Sequence, residues 1–218
     1  MFNIAIDGPA GAGKSTIAKI LAEKLNMSYV DTGAMYRAVT LKAIRNQELS
    51  EEKLKELSAN INLEIKGNRI YLDGEDVTYE IRNPQVTEMV SYVAQIPSVR
   101  KNMVKIQKKL AEQKGVIMDG RDIGTTVLPD AEFKFFLTAD LDERAKRRSL
   151  ELAQKGHYFD IDKVKKDIKE RDSQDMQRTC SPLRVAPGAK IIDTTDKTID
   201  EVVEEILAII RREGQVVI

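Results

Sequence analysis

The chain has 218 residues and carries 35 Lys plus Arg against 35 Asp plus Glu, with one His and one Cys. That length suits one hydrophobic core with a small insertion rather than two large independent domains. Zero net charge offers no basic field for nucleic acid or an anionic membrane, and His157 with Cys180 supports neither a zinc cluster nor a Cys/His or Ser/His/Asp catalytic set.

Met1 to Asp7 lacks a basic leader region, and no later run approaches about 18 consecutive apolar residues. The expectation is a cytoplasmic monomer without nucleic-acid or membrane partners.

Phe2 to Ile6 is a short apolar run ending in Asp7, and the glycine-rich Gly8 to Gly13 follows. Lys14 to Leu25 then places Ile17, Ile20, Leu21 and Leu25 on one helical face, so the segment reads as strand, loop, helix. Gly8-Pro9-Ala10-Gly11-Ala12-Gly13-Lys14-Ser15 fits the P-loop pattern in the required context. Side chains at Gly8, Gly11 and Gly13 would crowd a backbone whose N–H groups must face phosphate oxygens. Lys14 supplies a point charge to the β- and γ-phosphates, and the Ser15 hydroxyl is suited to ligate Mg²⁺.

Short apolar runs recur at Ser28 to Val30, Val116 to Met118, Phe133 to Leu137 and Lys190 to Ile192, separated by helix-like segments. With the first strand they predict an α/β fold, a central five-stranded parallel sheet with helices on both faces. Ile61 to Val77 breaks the pattern: Leu63, Ile65, Ile70 and Leu72 alternate around turn signals at Gly67-Asn68 and Asp73-Gly74, as in a small antiparallel β insertion. Asp142 to Arg178 is intensely charged and reads as a helical hairpin broken near Gly156, most simply a solvated helix pair. Ile199 to Arg212 carries Ile199, Val202, Val203, Ile206, Leu207, Ile209 and Ile210 at a spacing suited to a closing helix packed on the sheet.

A P-loop does not separate a switch from a motor or a kinase. No Asn-Lys-x-Asp segment that would read guanine is present, and no water-positioning Gln is identifiable, which disfavours a GTPase. Asp31-Thr-Gly-Ala-Met-Tyr-Arg37 and Asp119-Gly-Arg-Asp122 follow strands where an open parallel sheet forms its ligand crevice, so two arginines and three carboxylates converge there. Val116 to Asp119 resembles the strand whose terminal carboxylate supports Mg²⁺ in many P-loop proteins, with Asp7 and Asp31 as alternatives.

Asp7 to Thr16, Asp31 to Arg37, Asp119 to Thr125 and Lys169 to Arg178 together resemble the bacterial cytidylate kinases, over essentially the full length. The resemblance implies a three-layer P-loop nucleoside monophosphate kinase fold. Its core would comprise residues 1–60, 86–141 and 179–218, its acceptor-binding β insertion residues 61–85, and its lid residues 142–178. The implied reaction moves the γ-phosphoryl of ATP to CMP and dCMP, with Mg²⁺. The alternatives are a same-fold kinase for another small acceptor such as UMP, and a nucleotide-binding regulatory protein.

By the same resemblance Gly8, Pro9, Ala10, Gly11, Ala12, Gly13, Lys14, Ser15 and Thr16 hold ATP, together with Arg147. Thr32, Tyr36 and Arg37 belong to the acceptor site. Arg37, Arg121 and Arg178 hold phosphates, and Lys14, Arg121 and Arg178 are the catalytic cations. Ser91, Arg100 and Asp122 read the cytosine edge, and Arg171 with Asp175 contacts the acceptor sugar. Cytosine presents an amino donor beside acceptors at N3 and O2, which calls for a carboxylate next to Arg or Ser donors. Plainer roles also suit these residues: a structural ion pair for Arg121 or Asp122, a bond to its own helix for Ser91, solvent for any one of Arg144, Arg147 and Arg148, and core or cleft wall for Tyr36.

Overall fold

In the computed structural model, which describes residues 1–154, 156 and 160–214, the chain begins with β1 (Ile4–Asp7), α1 (Lys14–Leu25), β2 (Ser28–Asp31), α2 (Thr32–Arg45) and α3 (Glu51–Ala59). A hairpin unit follows, β3 (Leu63–Lys66), β4 (Arg69–Leu72) and β5 (Glu75–Asp76), and then α4 (Pro84–Val93) and α5 (Pro97–Leu110). The chain continues through β6 (Val116–Gly120), β7 (Phe133–Thr138), α6 (Leu141–Gln154), α7 (Ile161–Gln177), β8 (Lys190–Asp193) and α8 (Ile199–Gly214). His157 lies outside the described residues.

Strand order in the large sheet is β2-β6-β1-β7-β8, and every pair in it is parallel. All four residues of β1 are buried because β1 is central and covered on both faces. Alternate residues serve opposite layers: Ile4 and Ile6 join Ile17, Leu21, Phe135, Val203 and Ile206 beneath α1 and α8, and Ala5 joins Met35, Val39, Val99 and Met103 beneath α2 and α5. The closing helix is therefore packed on the sheet as its spacing predicts, except that Ile199 at its first turn is exposed.

The antiparallel sheet β3-β4-β5 turns at Gly67-Asn68 and Asp73-Gly74. Ile70, Leu72 and Val77 pack with Ala34, Ala38 and Leu41 of α2, so the insertion shares a core with the helix that follows β2. Arg45 of α2 braces it from outside, reaching Glu75 at 2.7 Å and Glu80 at 2.5 Å.

Helix starts are chemically marked. The Asp31 carboxylate accepts from Ala34 N at 2.9 Å to open α2, and Asn83 accepts from Val86 N at 2.7 Å ahead of Pro84 to open α4. The charged α6–α7 pair is not simply a solvated hairpin. Ala145, Val164 and Ile168 form a small apolar core between the helices, and Arg144, Asp172 and Arg178 are also buried. No helix among the described residues is long and apolar enough to cross a membrane.

Gly8 is the tightest point of the fold. Its φ is +146°, and a Cβ there would lie 2.0 Å from the carbonyl oxygen of Leu137 on β7. Gly8→Ala is expected to cost about 3 kcal/mol or more, measured by urea unfolding; a loss under about 1 kcal/mol would show that β1 and β7 can part to admit a methyl group.

Candidate active site

The P-loop leaves β1 at the C-terminal edge of the sheet and enters α1 through Gly13, which adopts a left-handed conformation with φ 83° and ψ 3°. The free N–H groups of α1 therefore point at the crevice, where the helix dipole favours an anion. Lys14 is buried, and its Nζ donates to the carbonyl of Pro9 at 2.7 Å. Burial, reinforced by the positive charge of Arg121, lowers its pKa to about 7, although Asp119, Asp175 and Asp7 pull the other way.

Three carboxylates line the strand ends, with different duties. Asp7 accepts from Ile123 N at 2.8 Å and Gly124 N at 2.7 Å, which fixes the turn after β6; burial lifts its pKa to about 6 against those bonds. Asp31 caps α2 and meets Arg82 at 3.0 Å. Asp119 accepts from Ser15 Oγ at 2.8 Å and from Tyr29 OH at 2.7 Å. Desolvation and nearby Asp31 raise its pKa to about 6, countered by Lys14 and by those two donors. Of the three, Asp119 is the one bonded to the P-loop hydroxyl.

The cleft opposite is rich in arginine. Arg37 donates to the carbonyl of Ile81 and to Thr87 Oγ1, and burial with the repulsion of Arg82 and Arg148 lowers its pKa to about 10. Arg171 on α7 is lowered to about 10 by burial and by Arg121. Neither Arg37 nor Arg171 has a carboxylate within ion-pair distance among the described residues. Arg121 does: its Nε donates to Asp175 Oδ2 at 2.8 Å. Arg121, Arg171 and Arg178 hold the Asp175 carboxyl below its usual range despite the burial that opposes them.

Deeper in, Arg100, Asp122, Arg178 and Tyr36 form a buried polar cluster. Arg100 Nη2 stands 2.6 Å from Asp122 Oδ2, and Arg178 Nη2 stands 3.5 Å from Asp122 Oδ1. Arg100 also lies 5.2 Å from the centre of the Tyr36 ring. Beyond that ion pair, Arg100 Nε and Tyr36 OH have no hydrogen-bond partner among the described residues, and Arg178 Nη2 has nothing nearer than Asp122 Oδ1. Orphaned buried donors and acceptors are costly, and such a cluster suits a polar ligand edge. Burial raises Tyr36 to about 12, so it offers a neutral hydroxyl.

The expected residues thus gather in unequal measure. Lys14, Arg121, Asp122, Arg171, Asp175 and Arg178 interact as one charged network, and Arg37 borders it. Thr32 instead donates to the carbonyl of Asp119 at 2.7 Å, and Ser91 offers only its carbonyl, accepting from Gln95. The Ser91 hydroxyl makes no hydrogen bond among the described residues. Arg147 stands on the other flank of the P-loop: it donates to the hydroxyl and carbonyl of Thr194 at 2.9 and 2.6 Å and lies near Gly13. Tyr29, Arg82, Asp172 and Thr194 were not singled out from the sequence for this site, and Arg144 was named only as a charged residue of the helical hairpin suited to solvent. No spacing marks them, because each acts on a partner distant in the chain.

The family model described as Cytidylate kinase matches residues 4–212. The chain is 56% identical over 211 residues to the cytidylate kinase of Caldanaerobacter subterraneus subsp. tengcongensis, covering 96% of this chain and 94% of that protein. It is 50% identical over 207 residues to the cytidylate kinase of Clostridioides difficile, covering 94% and 96%. Among solved structures, shikimate kinases from Bacteroides thetaiotaomicron and Acinetobacter baumannii share the fold at 14% and 15% identity, with TM-scores of 0.52 and 0.51. The former alignment covers 96% of this chain and 98% of that one, the latter 97% and 94%.

The depressed Lys14 pKa makes a stability prediction. Below about 7 the buried ammonium imposes its full cost on the folded state, and the cost fades as pH climbs toward the unfolded value of 10.5. Lys14→Met is therefore expected to gain stability over the wild type most at or below neutral pH. Between about pH 7.5 and 9.5 that gain should shrink by up to about 1.4 kcal/mol per pH unit. Denaturant unfolding of both proteins across this range checks it, and a difference that does not change with pH refutes it.

Proposed function

The chain belongs to the cytidylate kinase family, and from that premise we propose how the residues described above divide the work of moving the γ-phosphoryl group of ATP to CMP. The protein is an ATP-dependent phosphotransferase, a nucleoside monophosphate kinase acting on CMP. Use of dCMP, a cytoplasmic location and a monomeric state are parts of the proposal. So are the divisions of the chain, with residues 61–85 as acceptor-binding insertion and 142–178 as lid.

Gly8 to Thr16 form the loop that holds the ATP phosphates, with the backbone N–H groups of Gly11 to Thr16 facing them and Arg147 beside the nucleotide. Lys14 leaves the Pro9 carbonyl for the β- and γ-phosphates and takes up a proton as their charge arrives. Arg37 and Arg171, partly buried and without carboxylate partners among the described residues, receive acceptor phosphate and sugar, together with Asp175 and Thr32. Arg121 and Arg178 stabilise the charge on the phosphoryl group in flight. The acceptor phosphate is the nucleophile; with a second pKa near 6 it is largely ionised at neutral pH, so no strong general base is required. Positioning two phosphates in line, with water excluded by the lid, carries most of the rate.

Oxygen donors and few protein ligands suit Mg²⁺, which usually keeps several waters and the substrate phosphates. Ser15 fits as its ligand and Asp119 as the carboxylate behind it, since these two are bonded in the P-loop mouth. When bound, the ion would neutralise charge on the β- and γ-oxygens.

Base choice rests on one observation, the buried Asp122 carboxylate held between Arg100 and Arg178. A carboxylate accepts from the amino group of cytosine and opposes the 4-oxo group of uracil; Ser91 is the further candidate for the base edge. A mismatch in a buried site costs about 1–3 kcal/mol per group.

ADP release with ATP and Mg²⁺ should be strongly stimulated by CMP and dCMP, and little by UMP, AMP, GMP or dTMP. Stimulation by a different acceptor would discard the base assignment. Lys14→Ala should nearly abolish turnover, and Arg178→Ala should lower kcat steeply, within the range of roughly 10³ to 10⁵ known for transition-state arginines. Asp122→Asn, whose amide can donate to a 4-oxo group, should narrow the CMP-to-UMP ratio of kcat/KM by about tenfold or more. An unchanged ratio would remove Asp122 from base reading.

A further inference from the structure

Arg144 and Asp172 have no place in the roles above, yet both are buried between the P-loop and the lid. Asp172 Oδ1 accepts from the Ala10 N–H at 3.1 Å, and Arg144 Nη1 donates to the Ala10 carbonyl at 3.0 Å. The same Nη1 pairs with Asp172 Oδ2, and Arg144 Nε donates to the carbonyl of Ala139 at 2.9 Å. One ion pair therefore grips both polar groups of the Ala10 residue in the P-loop, and it is tied to the end of β7 as well. The backbone is pressed together at the same point: a Cβ on Gly11 would lie 3.0 Å from Arg144 Cβ and 3.1 Å from the Arg144 carbonyl oxygen.

We propose that Arg144 and Asp172 act together as a positioning latch, which sets the register of α7 against the P-loop and so places Arg171 and Arg178 on the phosphoryl group being transferred. The inference rests on the kinase reading given above. Asp172 directly follows Arg171 on α7, and Asp175 and Arg178 come three and six residues later, so holding Asp172 fixes both the rotation and the height of that group. A buried ion pair adds little net stability over an apolar pair of the same size, and its better-attested use is to specify one register. The latch also occupies the Ala10 N–H, which leaves the following residues of the loop to hold phosphate.

The test is steady-state kinetics of Asp172→Ala, Arg144→Ala, the double variant and Asp172→Asn, each with its melting temperature. Asp172→Asn keeps an acceptor for Ala10 N–H but removes the anion from Arg144, and it serves should the alanine variants fail to fold. Each folded single variant is expected to lose about tenfold to a hundredfold in kcat with CMP. KM for CMP should stay within about threefold, and CMP-independent ATP hydrolysis should rise as a share of ADP release. The double variant should lose no more than the worse single, because the two residues act as one unit. Folded singles with kcat within about twofold of wild type, or losses that multiply in the double, overturn the latch. A wild type unresponsive to CMP would sink the kinase reading instead. The latch would then be decided by hydrogen exchange at the Ala10 amide, whose protection must fall in the Asp172 variants and whose constancy would refute it.

Discussion

Lys14, Arg37 and Arg171 crowd the C-terminal edge of the parallel sheet beside Arg121, with less negative charge around them than their burial demands. Isolated charges in a low dielectric cost far more than hydrogen bonds return, so the protein has two routes: bring carboxylates or leave room for an anion. It uses both. Arg121 is neutralised by Asp175 and Arg100 by Asp122, whereas Arg37 and Arg171 have no carboxylate within ion-pair distance among the described residues. The surplus positive charge is stored electrostatic work that a nucleotide releases on arrival, and it makes the ligand part of the stability of the domain.

The surrounding architecture follows from holding that charge in place. A parallel sheet puts its strand ends, the Gly13 turn and the N–H groups of α1 on one edge, which is why β1 must be central and buried on both faces. Asp7 spends its carboxylate on Ile123 and Gly124 N–H groups, so the loop carrying Arg121 and Asp122 cannot drift from the P-loop. Tyr29 performs a similar service for Asp119, leaving its second oxygen to Ser15. These are supports for a site: each carboxylate near the phosphates is oriented by a donor from a different strand or loop.

Much of this was legible from residue order. The P-loop is a local pattern, the five strands are short apolar runs with turn residues after them, and the hairpin turns fall where glycine follows or precedes Asn or Asp. What was not legible is pairing at a distance. Arg144, Arg147 and Arg148 look alike in sequence, but the first is buried against Asp172, the second bonds Thr194, and the third meets Glu151 near the surface. A helical face predicts one apolar stripe, and α6 and α7 instead bury charges whose partners lie 28 residues apart in the case of Arg144 and Asp172. Ile199 illustrates the opposite failure: it fits the apolar period of α8, yet it sits in the first turn of the helix and is exposed.

The likeness to shikimate kinases shows how little of the chemistry the fold itself decides. A P-loop at the end of a central strand supplies a donor site to any member of such a fold, whatever accepts the phosphoryl group. Choice of acceptor has to come from elements that the sheet does not dictate. On the proposed reading those are the β3-β4-β5 insertion fused to α2, the α4–α5 pair that carries Ser91 and Arg100, and the loop after β6 that carries Asp122. Asp122 is the point where they meet, since Arg100 reaches it from α5 and Arg178 from the end of α7. On the proposed reading, an acceptor that bonds Asp122 would therefore fill the cleft between insertion and lid. On that reading, recognition of the base and closure over the phosphates would be coupled through one carboxylate, which would limit how far either could change without the other.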